Sequence, residues 1–238
     1  MQIEVLAYPP ASGGNFTDKT VIVIDVLRAT STIVTALGNQ ALEIIPVVEP
    51  SEVAELVRNI GPRECLTGGE RKGLKIEGFD LGNSPTEYHE EKVRGKKIIL
   101  CTTNGTKAIK WAQGAAEVLI GSFLNLQLVV EHIQDKNQDL IIVCSGRDQG
   151  VCLEDLVCAG MIIKQLDLNN LSDLSDSAKI AYFVYEKAGK KLEQFIKQTQ
   201  HGRYLTEIGM ESDIKECLNL NKYPILPKYI KGKISINS

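Results

Sequence analysis

At 238 residues the chain is long enough to bury a full core, as one large domain or two small ones. A composition of 43% hydrophobic and 24% charged residues is ordinary for a globular protein. A net charge of −3, with Lys and Arg dispersed, excludes a nucleic-acid footprint and a generic polyanion binder.

In chain order, strand-like runs fall near residues 2–7, 20–24, 42–48, 64–67, 97–101, 117–120 and 140–144. Helix-like patterns lie between most of them, at about 29–38, 51–59, 105–113 and 124–135. Such alternation predicts an α/β fold, a largely parallel or mixed sheet flanked by helices. Pro46 demotes its own run towards an edge or bulged strand. Residues 68–84 hold five glycines and no clear period, and read as a functional loop. Its exit carries Ser84 as helix N-cap, Pro85 at the first helical position and Glu87 to close a capping box. After residue 150 the pattern turns helical. One helix runs to about 166, a polar stretch follows, a second spans about 178–198, and Asp213 with Glu216 at capping-box spacing marks another start. The expectation is a single unit with a mainly helical C-terminal third, or two lobes with the active site between them.

No apolar stretch approaches the roughly 20 residues of a spanning helix. The N-terminus also lacks the basic start and long apolar run of a signal peptide. Cys65, Cys101, Cys144, Cys152, Cys158 and Cys217 form no C-x-x-C pair and read as small buried thiols of a reducing, cytoplasmic setting. No membrane or nucleic-acid partner is expected, and a homodimer is the commonest assembly for such a chain.

Three of the strand-like runs stop at residues suited to oxyanions. Val21–Ile24 runs into Asp25, Arg28 and the hydroxyls of Thr30, Ser31 and Thr32. Ile98–Cys101 runs into Thr102, Thr103, Asn104, Gly105 and Thr106. Leu140–Cys144 runs into Ser145, Gly146 and Arg147, with Glu154 and Asp155 just beyond. Ligands of α/β sheets bind outside the carboxyl ends of strands, so three such clusters can converge on one anion. Arginine forks match phosphate or sulfonate, and helix starts favour anions. Asp25 in isolation reads first as an N-cap or turn residue, and Arg28 three residues later turns it towards a site; a complement to the helix dipole accounts for one of Glu154 and Asp155. Two adjacent carboxylates beside an Arg-bearing loop argue for metal ligation by at least one. His89, His132 and His201 lie outside the clusters, the first two on polar helical stretches.

The inventory is Arg28, Arg71 and Arg147 with Asp25, Glu70, Glu154 and Asp155. Carboxylates gathered in one cleft repel unless a cation bridges them, and oxygen donors alone select Mg2+ or Mn2+. Mg2+ with Arg clamps is the recurrent equipment of phosphoryl transfer. Phosphate-monoester hydrolysis needs accelerations towards ~10²¹, beyond a lone Arg pocket. P-loop, dinucleotide, zinc-protease and Ser-elbow signatures are all absent.

The runs Ile-Asp25-Val-Leu-Arg28-Ala-Thr-Ser-Thr, Gly-Gly-Glu70-Arg71-Lys-Gly, Phe79-Asp-Leu-Gly-Asn83-Ser84-Pro85, Thr102-Thr-Asn-Gly105-Thr and Ser145-Gly-Arg147 with Leu153-Glu154-Asp155 together resemble the 2-phosphosulfolactate phosphatase family. Gly202-Arg-Tyr-Leu205, Gly209 and Asp213 are similar too. The resemblance implies a Mg2+-dependent phosphatase that converts (2R)-phospho-3-sulfolactate to 3-sulfolactate, a step towards coenzyme M. It implies catalytic roles for Asp25, Arg28 and Glu70, and metal ligation by Asp25, Glu154 and Asp155. Substrate contacts would come from Arg71, Asn83, Ser84, Thr102, Thr103, Asn104, Gly105, Ser145, Gly146 and Arg147. In this scheme Arg28 and Arg147 hold the phosphate while Arg71 faces the sulfonate or carboxylate. Two other readings are a haloacid-dehalogenase-like phosphatase, whose D-x-D signature fails at Leu27, and a non-catalytic binder of a phosphorylated or sulfonated metabolite.

Overall fold

Four apolar residues in succession, Val21 to Ile24, can be buried on both faces only where helices cover a sheet twice. A computed structural model, describing residues 1–11, 16–136, 138–167 and 174–236, places them so, each at 0% exposure. The strands are β1 (Ile3–Leu6), β2 (Thr20–Ile24), β3 (Glu43–Val47), β4 (Cys65–Arg71), β5 (Leu74–Lys75), β6 (Lys97–Cys101), β7 (Glu117–Gly121), β8 (Leu140–Cys144), β9 (Lys228–Ile230) and β10 (Lys233–Ser235). The helices are α1 (Ala29–Gly38), α2 (Val53–Ile60), α3 (Glu90–Val93), α4 (Gly105–Trp111), α5 (Leu126–Lys136), α6 (Leu153–Gln165), α7 (Asp176–Ala188), α8 (Leu192–Gln198), α9 (Gln200–Glu207) and α10 (Glu211–Cys217).

The sheet is mixed, in the order β1-β8-β2-β7-β9-β10-β3-β6-β4-β5. β1, β8, β2 and β7 form one parallel block, with Val23 between Val143 and Ile120. β3, β6 and β4 form a second parallel block, with Ile99 between Ile45 and Thr67. The hairpin of β9 and β10 joins them through antiparallel pairings, and each outer contact is a single residue pair, Leu119 with Lys228 and Ile44 with Ile234. Three reversals make the second block run against the first, so a flat sheet would put their carboxyl ends on opposite edges. Strand twist of roughly 20–25° per step, compounded over the steps from β2 to β6, turns those ends towards each other.

The blocks also share one core. Val21 and Val23 of β2 belong to the same cluster as Ile98 and Leu100 of β6, packed around Ile33, Val34 and Leu37 of α1. α1 is buried on every side, which is why it is apolar all round with only Ser and Thr as polar residues. The opposite face of β2, Ile22 and Ile24, packs on α5, α6 and α7 through Val129, Val157, Ile162 and Ala181. Burial of each such side chain is worth roughly 1.5–3 kcal/mol, so β2 is a rigid platform for the residues at its carboxyl end.

Several local expectations differ from the structure. Residues 68–84 begin as β4, which turns into β5, so the stretch is half hairpin rather than an irregular loop. Pro46 is tolerated because β10 meets β3 only at Ile44, leaving no ladder partner for the missing N–H. Ser84 and Pro85 do open a helical turn, but Glu87 accepts the Gly82 N–H at 2.9 Å instead of closing a box. The single helix at 178–198 breaks at Gly189, whose φ of 49° ends α7. Asp213 lies inside α10, and Glu216 pairs with Lys222. The helical C-terminal third also closes with β9 and β10, whose short polar runs carry almost no strand pattern. Every one of the six cysteines is free and buried.

Glu117, at the start of β7, pairs with His132 at 2.8 Å and with Lys136 and Lys228 at 2.9 Å, tying α5 and β9 to the sheet. Burial pushes its carboxyl up, but these three partners outweigh burial and hold it at about 2, against an ordinary 4.5. A lowered folded-state pKa stabilises above the unfolded value and is lost as pH falls through the folded one. Urea denaturation should therefore show Glu117→Gln less stable than the wild type above pH 4.5. The difference should shrink as pH falls towards 2.

Candidate active site

Asp25 is the first residue beyond β2, and the backbone there is tightly organised. Its carbonyl accepts both Thr30 N–H and Thr30 Oγ1–H at 2.9 Å, and its Oδ1 accepts Ala29 N–H at 3.2 Å. The neighbouring strand β8 is followed by Ser145, whose N–H donates to Ile24 O at 2.7 Å. Ser145 Oγ donates to Asp155 Oδ2 at 3.3 Å, while Asp155 Oδ1 accepts Val26 N–H at 2.9 Å. The first turn of α6 is thereby fastened to the exit of β2. Glu154, next to Asp155, is 2% exposed; its Oε1 lies 3.4 Å from His201 Nδ1 of α9 but lacks a hydrogen-bond donor.

These carboxylates line one cavity of about 330 Å³, together with Arg28, Glu70, Lys72, Gly73, Asn83, Thr103, Asn104, Gly146, Arg147, Cys152, His201 and Tyr204. Burial pushes the Asp25 carboxyl up; His201, the Ala29 amide and Ser145 offset part of this. Asp155 is pushed well up, first by burial and then by the charges of Asp25 and Glu154. Burial would raise Glu154 as well, but His201 outweighs it and keeps that carboxylate below its ordinary range. The floor is therefore an electrostatically frustrated acidic cluster. It also carries two unpartnered buried oxygens, Glu154 Oε1 and Asn83 Oδ1, each costing roughly 1–3 kcal/mol if nothing binds them.

The facing wall comes from the second strand block. Glu70 accepts Thr103 N–H at 2.7 Å, Thr103 Oγ1–H at 3.1 Å and Gly73 N–H at 2.9 Å, bracing the β4–β5 turn against the exit of β6. At Gly105, the first residue of α4, the exits of β6 and β2 approach closely. A Cβ there would overlap Ala29 Cβ and sit 2.6 Å from Asp25 Oδ2. Arg28 is 3% exposed; its Nη1 donates to Asp213 Oδ2 at 2.7 Å and its Nη2 to Gly73 O at 2.5 Å. Asp213 Oδ1 accepts Ser84 Oγ–H at 2.6 Å. This buried network anchors α10, and with it the C-terminal helices, over the cavity.

Known proteins identify the family of the chain. The sequence profile described as 2-phosphosulpholactate phosphatase matches residues 8–232. The chain belongs to that family. A protein of Caldanaerobacter subterraneus subsp. tengcongensis is 45% identical over 215 residues, 90% of this chain and 89% of its own. One of Clostridium acetobutylicum is 41% identical over 218 residues, 91% and 92% of the two chains. One of Clostridium perfringens strain SM101 is 42% identical over 219 residues, 91% and 88%. All three carry the name "Probable 2-phosphosulfolactate phosphatase".

Within the family motifs, the structure sorts the sequence candidates. Asp25, Arg28, Glu70, Asn83, Thr103, Asn104, Ser145, Gly146, Arg147, Glu154 and Asp155 line the cavity. Arg71 does not. Its Nη2 donates to Val48 O at 2.7 Å, lies 3.3 Å from Cys101 Sγ, and is on the far side of β4. Ser84 stands behind the wall on Asp213, and Gly105 supports Asp25. Thr102 exchanges hydrogen bonds with Thr106 and is closed off. Thr30, Ser31 and Thr32 spend their hydroxyls on Asp25 O, Val26 O and Asn83 O, so they offer nothing to an anion. His201, Lys72, Cys152 and Tyr204 join the site although no strand-end cluster contains them; Lys72 falls within the Gly-Gly-Glu70-Arg71-Lys-Gly run, and the Gly202–Leu205 motif is the sequence signal that points to His201 and Tyr204.

Gly105→Ala should force Asp25 aside. Overpacking costs about 1–3 kcal/mol in denaturant melts. A displacement near 1 Å at the reacting groups should lower phosphatase turnover by about 10²-fold. Arg28→Met leaves Asp213 buried and unpaired, and should lose about 3–5 kcal/mol in urea denaturation. The double variant Arg28→Met with Asp213→Leu should recover part of that loss, since no uncompensated charge remains.

Proposed function

We propose that this chain hydrolyses 2-phosphosulfolactate to 3-sulfolactate and phosphate with the help of Mg2+. The family membership supports the substrate, and the acidic floor of the cavity supports the cation. The observation that carries the reading is the buried, unpartnered Glu154 Oε1 beside Asp25 and Asp155, whose carboxyls are both pushed up. A cluster of oxygen donors in that condition fits a hard divalent ion. Among the described residues no three such side chains close into a finished cage. Asp25, Glu154 and Asp155 would supply part of the shell, with water and substrate oxygens completing it, as Mg2+ permits. When bound, such an ion supplies positive charge against the phosphoryl oxygens as the transition state develops.

The remaining work belongs to the chain's own groups. Asp25, held by Ala29 N–H and kept close by Gly105, is positioned to take a proton from an attacking water. The water oxygen bonds to phosphorus, the bond from phosphorus to the C2 oxygen breaks, and the proton held on Asp25 passes to that departing oxygen. Asn83 and Asn104 are side chains of the lining able to hold substrate oxygens.

Phosphate release from a panel of 2-hydroxy-acid phosphates, with Mg2+ and after EDTA treatment, tests the reading. Release from 2-phosphosulfolactate should require Mg2+, and Asp25→Asn should lower kcat by roughly 10²–10⁴-fold. Full activity in EDTA would remove the metal, and no release from phosphosulfolactate would remove the substrate.

A further inference from the structure

Arg28, Lys72 and Arg147 bring cationic side chains to the cavity and His201 brings an imidazole, and two of these four groups are already committed. Arg28 gives both terminal nitrogens to the chain, and His201 faces Glu154. Lys72 and Arg147 remain. Lys72 is exposed and meets no carboxylate among the described residues. Arg147 has one acidic neighbour, Asp148 at 3.8 Å, whose side chain is 88% exposed, a pairing too solvated to neutralise it.

Both cations sit at tight turns in the left-handed region. Lys72 and Gly73, with φ of 49° and 73°, form the two-residue turn between β4 and β5. Asp148 and Gln149, with φ of 51° and 60°, turn the chain between Arg147 and Gly150, which exchange backbone hydrogen bonds at 3.1 and 2.7 Å. Non-glycine residues in this conformation cost on the order of 1–3 kcal/mol and persist where surroundings enforce them. One side chain touches both turns. Tyr204 Oη donates to Lys72 O at 2.8 Å, and its ring lies 4.7 Å from Arg147 Cζ. A Cβ at Gly73 would meet Tyr204 Cε1 at 3.2 Å, so the first turn also packs on the ring.

We propose that Tyr204 sets the spacing of a two-cation clamp, Lys72 and Arg147, that selects substrates bearing a second strong-acid anion such as a sulfonate. The inference rests on the proposed hydrolase activity and assigns the end of the substrate remote from the phosphate. The acidic floor takes the phosphoryl group only together with a cation, so a further anion is repelled there. The unpaired positive charge is at the mouth. Stacking on an aromatic face holds the guanidinium plane while leaving its N–H edges free for a bidentate oxyanion. A sulfonate is ionised throughout the working pH range, so the clamp reads chemical identity rather than pH. Tyr204 acts here through its neighbours, as a positioning residue.

The test compares kcat/KM for 2-phosphosulfolactate and 2-phospholactate, which keeps phosphate and carboxylate but lacks the sulfonate. Lys72→Met should lose about 10–100-fold on phosphosulfolactate, mainly through KM, and by a much smaller factor on phospholactate. Tyr204→Phe should shift the same ratio in the same direction by a smaller amount, and Tyr204→Leu by more. Loss in equal proportion on both substrates, or an unaltered ratio in Lys72→Met, would overturn the clamp while leaving the hydrolase reading intact. A wild-type enzyme that releases phosphate from neither substrate would take down both. Lys72 is exposed, so its variant keeps the test decisive if a Tyr204 variant folds poorly.

Discussion

A guanidinium at 3% exposure must have its hydrogen bonds made inside the protein, and Arg28 meets that demand by drawing three distant segments to one point. It takes Asp213 from α10 and the Gly73 carbonyl from the β4–β5 turn, while its own backbone starts α1 at the exit of β2. Buried pairs of this kind contribute little net stability against an apolar alternative, yet losing one partner is severe. What Arg28 provides is specificity of assembly. Together with the Tyr204 bond to Lys72 O and the Ser84 bond to Asp213, it fixes where the C-terminal helices, and so His201 and Tyr204, stand relative to Asp25.

The same convergence explains the acidic floor. β2 and β8 bring Asp25 and Ser145 side by side, α6 returns Asp155 to the Val26 amide, and Glu154 follows its neighbour into the interior. Asp25 and Asp155 are held by backbone and hydroxyl groups that have other structural duties, so these two cannot spread to relieve the cluster's repulsion. Burial raises the proton affinity of both Asp25 and Asp155, and at Asp155 the charges of Asp25 and Glu154 add to it.

Much of this was legible in the chain itself, for physical reasons that also mark where legibility ends. Central strands read clearly because β2, β6 and β8 are apolar on both faces, and the polar residue that ends each run falls at a carboxyl end. Side-chain direction within a strand is fixed by alternation, and Arg71 is the residue that motif content alone misplaces. It succeeds Glu70 on β4, so the two must point to opposite faces, and only Glu70 reaches the cavity. Ser and Thr at a helix start are equally ambiguous, because the backbone competes with any ligand for their hydroxyls, and in α1 it wins at Thr30, Ser31 and Thr32. Residues supplied by tertiary docking left the faintest trace. His201 and Tyr204 enter the site because Asp213, a few residues later in the chain, is pulled onto Arg28, and no local pattern encodes that pull. The β9–β10 hairpin is illegible for a similar reason, being stabilised by its place between two blocks rather than by its own apolar face.

From floor to mouth the cavity changes sign, from Asp25, Glu154 and Asp155 to Lys72 and Arg147. A simple phosphate pocket has no need of that gradient, since cations alone would hold a monoester. A divided cavity instead suits a ligand whose two ends differ, as those of the proposed substrate do. It also orients such a ligand, because reversal would set the permanently charged end against the acidic floor. The strained turns at Lys72 and at Asp148-Gln149 fit the same logic. They set the backbone on either side of the opening, and Tyr204, delivered by the helices that Arg28 anchors, bridges them through the Lys72 carbonyl and the Arg147 guanidinium.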